Sequence, residues 1–250
     1  MTAIVLVGGK GTRIAHLVSD LPKPLVRVAG QPFLHWVLRW VALQGEERVV
    51  LAAQHLAEQI CSFALDQRQA GHSVEICVEP TPLGTGGAVL HAASRHPDHV
   101  YLVLNGDSLA LMSLRRAYEW LAEDPALDGV IAGVRVADAG RFGSLAVGKD
   151  SLLLGFHEKR PGVGLINAGL YLLRDRLLGD EPARPLSIET DCFPTWLKEG
   201  RRIGVIAADV PFIDIGTPES LAQSSRFIES RLSAFDGSHP LEPAREIIFY

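Results

Sequence analysis

The chain has 250 residues, 47% of them hydrophobic and 21% charged, with a formal net charge of −5. That composition describes a globular protein with one sizeable core and excludes a disordered or fibrous chain. The acidic balance argues against nucleic acid as a partner, because such proteins leave a basic footprint; it still permits a local cationic pocket for one small anion.

The first half alternates strand-like and helix-like segments. Strands are expected at 3–7 (AIVLV), 48–53 (RVVLAA), 74–78 (VEICV) and 100–107 (VYLVLNGD), apolar runs suited to burial on both faces of a sheet. Between them, Phe33, Trp36, Val37, Trp40 and Val41 recur at helical spacing, with Pro32 in the first turn and Gly45 as the stop. A second helix is expected over roughly 56–70 and a third from Gly86 or Gly87. The second half is richer in strands, at 129–136, 144–147, 152–156 and 166–173, followed by helices near 189–200 and 218–234. This order predicts an α/β fold: a single Rossmann-like three-layer α/β/α domain with a mixed, mostly parallel central sheet. The domain is expected to span 1–235, with a first half at about 1–110, a second half at about 111–222, and a C-terminal tail at 236–250 whose placement is left open.

The three cysteines, Cys61, Cys77 and Cys192, are odd in number and form no C-x-x-C pair, so neither a disulfide framework nor a zinc site is expected. Reduced thiols fit a cytoplasmic protein. No leader with a cleavage site is expected, nor a membrane span, since no apolar run approaches about 18 residues. Three histidines in HAASRHPDH (91–99) read as a surface helix end, and Trp36 and Trp40 as core or subunit contact.

The most informative stretch is LVGGKGTRI (6–14). It fails the P-loop spacing, because Lys10 lies between Gly9 and Gly11, and it fails G-x-G-x-x-G, because Ile14 stands at the last position. Gly8, Gly9 and Gly11 nevertheless follow the carboxyl end of a first strand, where open α/β sheets bind ligands. Glycines let backbone amides approach an anion, and Arg13 can grip phosphate in a bidentate fashion. Ten residues on, LPKPL (21–25) presents Lys23 between two prolines that stiffen the loop.

With these motifs, EPTPLGTGGAVL (79–90), LVLNGDSL (102–109), FHEKR (156–160), LINAGLYLL (165–173) and FIDIGTPESL (212–221), the chain resembles the NDP-sugar pyrophosphorylases, the nucleotidyltransferases that activate sugar 1-phosphates. The resemblance runs from residue 3 to about 222 and looks most similar to guanylyltransferases acting on D-glycero-α-D-manno-heptose 1-phosphate, which serve bacterial surface-polysaccharide synthesis. It implies attack of a sugar 1-phosphate oxygen on the α-phosphorus of a nucleoside triphosphate, with release of pyrophosphate. Arg13, Lys23 and Asp107 would be catalytic. Leu6, Gly8, Gly9, Gly11, Thr12, Arg13, Lys23, Glu79, Gly84, Thr85 and Gly87 would bind nucleotide. Gly143, Glu158, Lys159 and Asn167 would bind the sugar phosphate, with Glu189 and Asp191 as weaker candidates. Asp107 and Asp214 would hold Mg²⁺, the implied cofactor, as hard oxygen ligands. Relatives are often dimers or tetramers, which leaves a homo-oligomer open; no membrane partner is implied. Other sugar-1-phosphate nucleotidyltransferases (mannose guanylyl-, glucose thymidylyl- or cytidylyl-, amino-sugar uridylyl-) remain alternatives, as do a silent paralogue and a glycosyltransferase, although NGDSL is not the Asp-x-Asp motif of the last.

Overall fold

The computed structural model describes residues 1–11, 13–14, 18, 20–71, 73–157, 161–179 and 184–246. The first half contains β1 (Thr2–Leu6), the short strands β2 (Arg27–Val28) and β3 (Gln31–Pro32), α1 (Phe33–Leu43), β4 (Arg48–Ala53), α2 (Ala57–Gln69), β5 (Val74–Val78), α3 (Gly84–Arg95) and β6 (Val100–Asn105). After β7 (Ser108–Ala110), β8 (Met112–Ser113) and α4 (Arg115–Glu123) come β9 (Gly129–Val136), β10 (Ser144–Val147), β11 (Leu153–His157), β12 (Gly164–Arg174) and α5 (Asp175–Leu178). A π-helical turn (Ile188–Cys192) leads into α6 (Phe193–Lys198), β13 (Ile203–Ala208), β14 (Phe212–Asp214) and α7 (Pro218–Glu229), and the chain closes with β15 (Glu242–Pro243) and β16 (Arg245–Glu246).

The main sheet runs β16-β13-β9-β12-β6-β1-β4-β5, with β10 and β11 appended beside β12. Strands β13, β9, β6, β1, β4 and β5 point one way; β12, wedged between β6 and β9, and β16 at the edge point the other. Period-two alternation divides each strand between two cores. Ala3, Val5, Leu102 and Leu104 pack with the stripe of α1 and with α2 and α4, whereas Ile4, Tyr101 and Val103 pack with α3 and α6 on the opposite face. The result is the expected three-layer α/β/α domain with a mixed, mostly parallel sheet. Trp36 and Trp40 are core residues; the Trp36 indole donates to Val28 O at 2.9 Å.

Three local expectations need correction. Helix α3 begins at Gly84, two or three residues before the predicted start at Gly86 or Gly87, because the backbone of Leu186 docks on its first turn and accepts the Gly86 amide at 2.8 Å. The helix expected near 189–200 is divided into the π-helical turn and α6, with Ser187 Oγ capping the turn by accepting from Thr190 N at 3.2 Å. Helix α7 stops at Glu229 and not near 234. Part of the tail docks: β15 pairs with β8, β16 extends the sheet against β13, and Glu246 bridges to Arg116 at 2.6 Å. No helix among the described residues is long and apolar enough to cross a membrane.

Candidate active site

A cleft of about 480 Å³ opens at the carboxyl ends of β1, β4, β5 and β6. This is where the crossovers of an open parallel sheet diverge and leave a crevice. The loop after β1 forms one wall. Gly11 turns with φ +56, a conformation that favours glycine, and a Cβ there would sit 3.3 Å from Lys23 Cβ. The loop therefore rests directly on Lys23. Gly8, Gly9, Gly11, Lys10 and Arg13 all line the cleft.

Lys23 lies in a turn of 3-10 helix at Lys23–Leu25, with Pro22 before it and Pro24 in the first turn. It is only 9% exposed, which orders the flexible stem, and its Nζ meets Asp107 Oδ2 at 2.6 Å. Asp107 directly follows the Asn105-Gly106 end of β6. Strands β7 and β14 then bring the second aspartate alongside: Asp214 pairs with Ser108 in register, and Ile215 N donates to Asp107 O at 2.9 Å. Asp214 Oδ1 accepts Gly216 N at 2.5 Å, and Oδ2 faces Arg141 Nη2 at 3.4 Å. Asp107 thus lines the cleft and Asp214, not itself a lining residue, is brought beside it by the β7–β14 pairing, each carboxylate already next to a cation. Among the described residues no cluster of three or more His, Cys, Asp or Glu side chains converges. A paired-carboxylate donor set still fits Mg²⁺, which takes one or two carboxylates and completes its shell with water and phosphate oxygens.

Glu79, at the end of β5, is 8% exposed. Its Oε2 accepts Leu83 N at 2.9 Å, and its Oε1 lies against Gly8, where a Cβ would stand 2.9 Å away. No donor reaches Oε1 among the described residues. Burial raises the carboxyl above its ordinary pKa, and the Leu83 amide offsets this in part.

A family model for nucleotidyl transferases matches residues 2–231, which spans this cleft and both aspartates. The chain belongs to the nucleotidyl transferase family. At 32% identity over 92% of its length it is similar to a D-glycero-α-D-manno-heptose 1-phosphate guanylyltransferase of Aneurinibacillus thermoaerophilus, 99% of which it covers. It is 33% identical over 89% of its length to a mannose-1-phosphate guanylyltransferase of Mycobacterium tuberculosis, 63% of which it covers. Among solved structures, the transferase resembles HddC from Yersinia pseudotuberculosis complexed with GMP-PN, with a TM-score of 0.80, 30% identity, and coverage of 90% of this chain and 98% of that one.

Of the residues predicted for the transferase site, Leu6, Gly8, Gly9, Gly11, Arg13, Lys23, Glu79, Gly84, Thr85 and Asp107 share the cleft. Thr12, Glu158 and Lys159 lie outside the described residues. Gly87 is not among the cleft-lining residues: a Cβ there would collide with Arg184 O, so its bareness serves close packing. The Gly86 and Gly87 amides are likewise spent on Leu186 O, at 2.8 and 3.3 Å. Gly143 and Asn167 are not among the cleft-lining residues; they meet each other, Asn167 N donating to Gly143 O at 3.2 Å. The Asn167 amide is already occupied: Nδ2 donates to Tyr171 Oη at 2.7 Å and Glu189 Oε1 at 2.6 Å, and Oδ1 accepts Gly169 N at 2.9 Å. Asp191 Oδ2 accepts Ser187 N at 2.7 Å, a turn-closing role. Sequence reasoning missed Lys10, Gln54, Asn105 and Gly216 as lining residues. Gln54 and Asn105 could have been found, since each stands at the carboxyl end of a parallel strand.

Proposed function

We propose that this transferase moves a guanylyl group from GTP to D-glycero-α-D-manno-heptose 1-phosphate, releasing pyrophosphate. The observation that carries the choice of base is Glu79. Guanine presents two adjacent donors, N1–H and the 2-amino group, and the Glu79 carboxylate, whose Oε1 has no donor among the described residues, is complementary to them. The similarity to HddC with GMP-PN supports the same base, and the similarity to a heptose 1-phosphate guanylyltransferase that the chain covers almost end to end supports the heptose.

The residues divide the work by charge. Amides of the Gly8–Gly11 loop approach the polyphosphate, while Arg13 and Lys23 neutralise it from two sides, so that a second polyanion can come close. A phosphate oxygen of the sugar 1-phosphate attacks the α-phosphorus, the bond to the bridging oxygen breaks, and pyrophosphate leaves with the electron pair. Charge building on the α-phosphate and the departing group falls on Arg13. Asp107 and Asp214 would hold Mg²⁺, which supplies further charge neutralisation at the phosphates when bound. Glu158 and Lys159 are assigned to the sugar phosphate on their motif alone.

The test is pyrophosphate release with Mg²⁺ across GTP, UTP, dTTP and CTP, each paired with mannose, glucose and manno-heptose 1-phosphates. Turnover restricted to GTP with the heptose is expected. Preference for another pair overturns the substrate assignment, and silence across the grid overturns the reading.

A further inference from the structure

Residues 83–87, at the cleft, and 184–192, on the sugar-side half, are held together by four hydrogen bonds. Leu186 N donates to Leu83 O at 2.9 Å; Leu186 O accepts the Gly86 and Gly87 amides; and Ile188 N donates to Thr85 Oγ1 at 2.9 Å. The contact is steric as well as polar. A Cβ on Gly84 would lie 2.6 Å from Leu186 O, and one on Gly86 2.5 Å from Cys192 Sγ. Glu189 follows Ile188 directly, and its Oε1 accepts the Asn167 amide at 2.6 Å. Asn167 stands where the pairing of β12 with β9 shifts register, between Asn167–Gly133 and Tyr171–Ile131.

Thr85 therefore has two neighbourhoods: its residue lines the cleft, while its hydroxyl is engaged with the segment that carries Glu189. We infer that Thr85 is a positioning residue, whose hydroxyl latches the 186–192 segment so that Glu189 and Asn167 are held where the sugar half of the acceptor is read. This rests on the proposed function in one respect, that the acceptor is a sugar 1-phosphate, with Asn167 taken as its contact on the LINAGLYLL motif alone. Three of the four latch bonds use backbone on both sides, and no side-chain change removes them. The Thr85 bond alone is adjustable, and losing it leaves the Ile188 amide without its acceptor.

The kinetic test uses whichever nucleotide and sugar pair the wild-type enzyme turns over best, so a different base or sugar does not touch the latch. Thr85→Val is expected to raise KM for the sugar 1-phosphate about tenfold and leave KM for the nucleotide within about twofold. Thr85→Ser, which keeps the hydroxyl, is expected to stay within about twofold of wild type on both. A rise confined to the nucleotide KM makes Thr85 a nucleotide contact and overturns the inference; so does a Val variant with both KM values unchanged. If no pair turns over, the proposed function fails and the latch is judged by hydrogen–deuterium exchange of residues 186–192. Faster exchange in Thr85→Val with wild-type exchange in Thr85→Ser supports it, and unchanged exchange in both overturns it.

Discussion

Replacing Glu79 with glutamine keeps the shape of the side chain and changes what it can accept. The Leu83 amide requires an oxygen, which it now finds at 2.9 Å on Oε2, so the glutamine carbonyl is expected to take that place. The amide NH₂ then occupies the Oε1 position beside Gly8 and presents donors to the cleft. Guanine would meet a donor where it needs an acceptor. A hydrogen bond to a charged group contributes about 1.5–3 kcal/mol, and the unmatched donor adds a desolvation cost of similar size. A loss of about 3 kcal/mol in transition-state binding corresponds to roughly 150-fold in kcat/KM for GTP. The fold should not suffer. Because burial raises the Glu79 pKa in the folded state, the ionised side chain is a cost at neutral pH that glutamine removes, so Tm is expected to hold or rise. Steady-state pyrophosphate release with GTP and with ITP, which lacks the 2-amino group, measures the effect. The wild type should favour GTP, and the variant should lose most of that preference. A variant of normal Tm whose kcat/KM for GTP stays within about threefold of wild type would refute the assignment of guanine to Glu79.

Asp107→Asn removes a carboxylate from the cleft and from the Lys23 ion pair, and kcat should fall at least about 100-fold, the scale of losing one preorganised charge at a transferring phosphate; single-turnover measurements check it. Gly87→Ala should lower stability by about 1–3 kcal/mol, because its methyl group collides with Arg184 O, while KM for GTP stays put. Thermal melts alongside GTP titrations distinguish this packing role from a nucleotide contact. Glu46 is buried, accepts from Tyr118 Oη at 3.1 Å, and has its pKa raised chiefly by desolvation. A raised acid contributes stability that is full below its unfolded pKa and is lost as pH rises through the folded value. Glu46→Gln should therefore gain Tm relative to wild type at pH 7–8 and lose that advantage near pH 4. A gain independent of pH would contradict the cause given.

The order of strands and helices was legible because local periodicity encodes it. Runs such as Arg48–Ala53 and Gly129–Val136 are too apolar and too β-branched for a sheet with one wet face, and the α1 stripe admits one buried side. The cleft wall built from Gly8, Gly9, Gly11 and Arg13 was also visible, since glycines and a cation follow a first parallel strand. Where sequence reasoning slipped, the deciding partner lay far along the chain. The first turn of α3 is set by Leu186, about 100 residues away, and the glycines at 86 and 87 face that backbone instead of the cleft. The partners of Asn167 also lie beyond local reading: only the fold shows that its amide is joined to Tyr171 and Glu189.

Residue type and spacing were enough for the layered α/β fold and the cationic loop at the end of β1, because each depends on neighbours a few residues away in the chain, and the family was legible in the resemblance of motifs spread from residue 3 to about 222. The pairing of Lys23 with Asp107, the approach of Asp214 through β14 and the latch from Thr85 to Ile188 were decided by tertiary structure. Each joins segments that local periodicity cannot relate, and a hydrogen bond or ion pair exists only when packing brings both partners within about 3 Å.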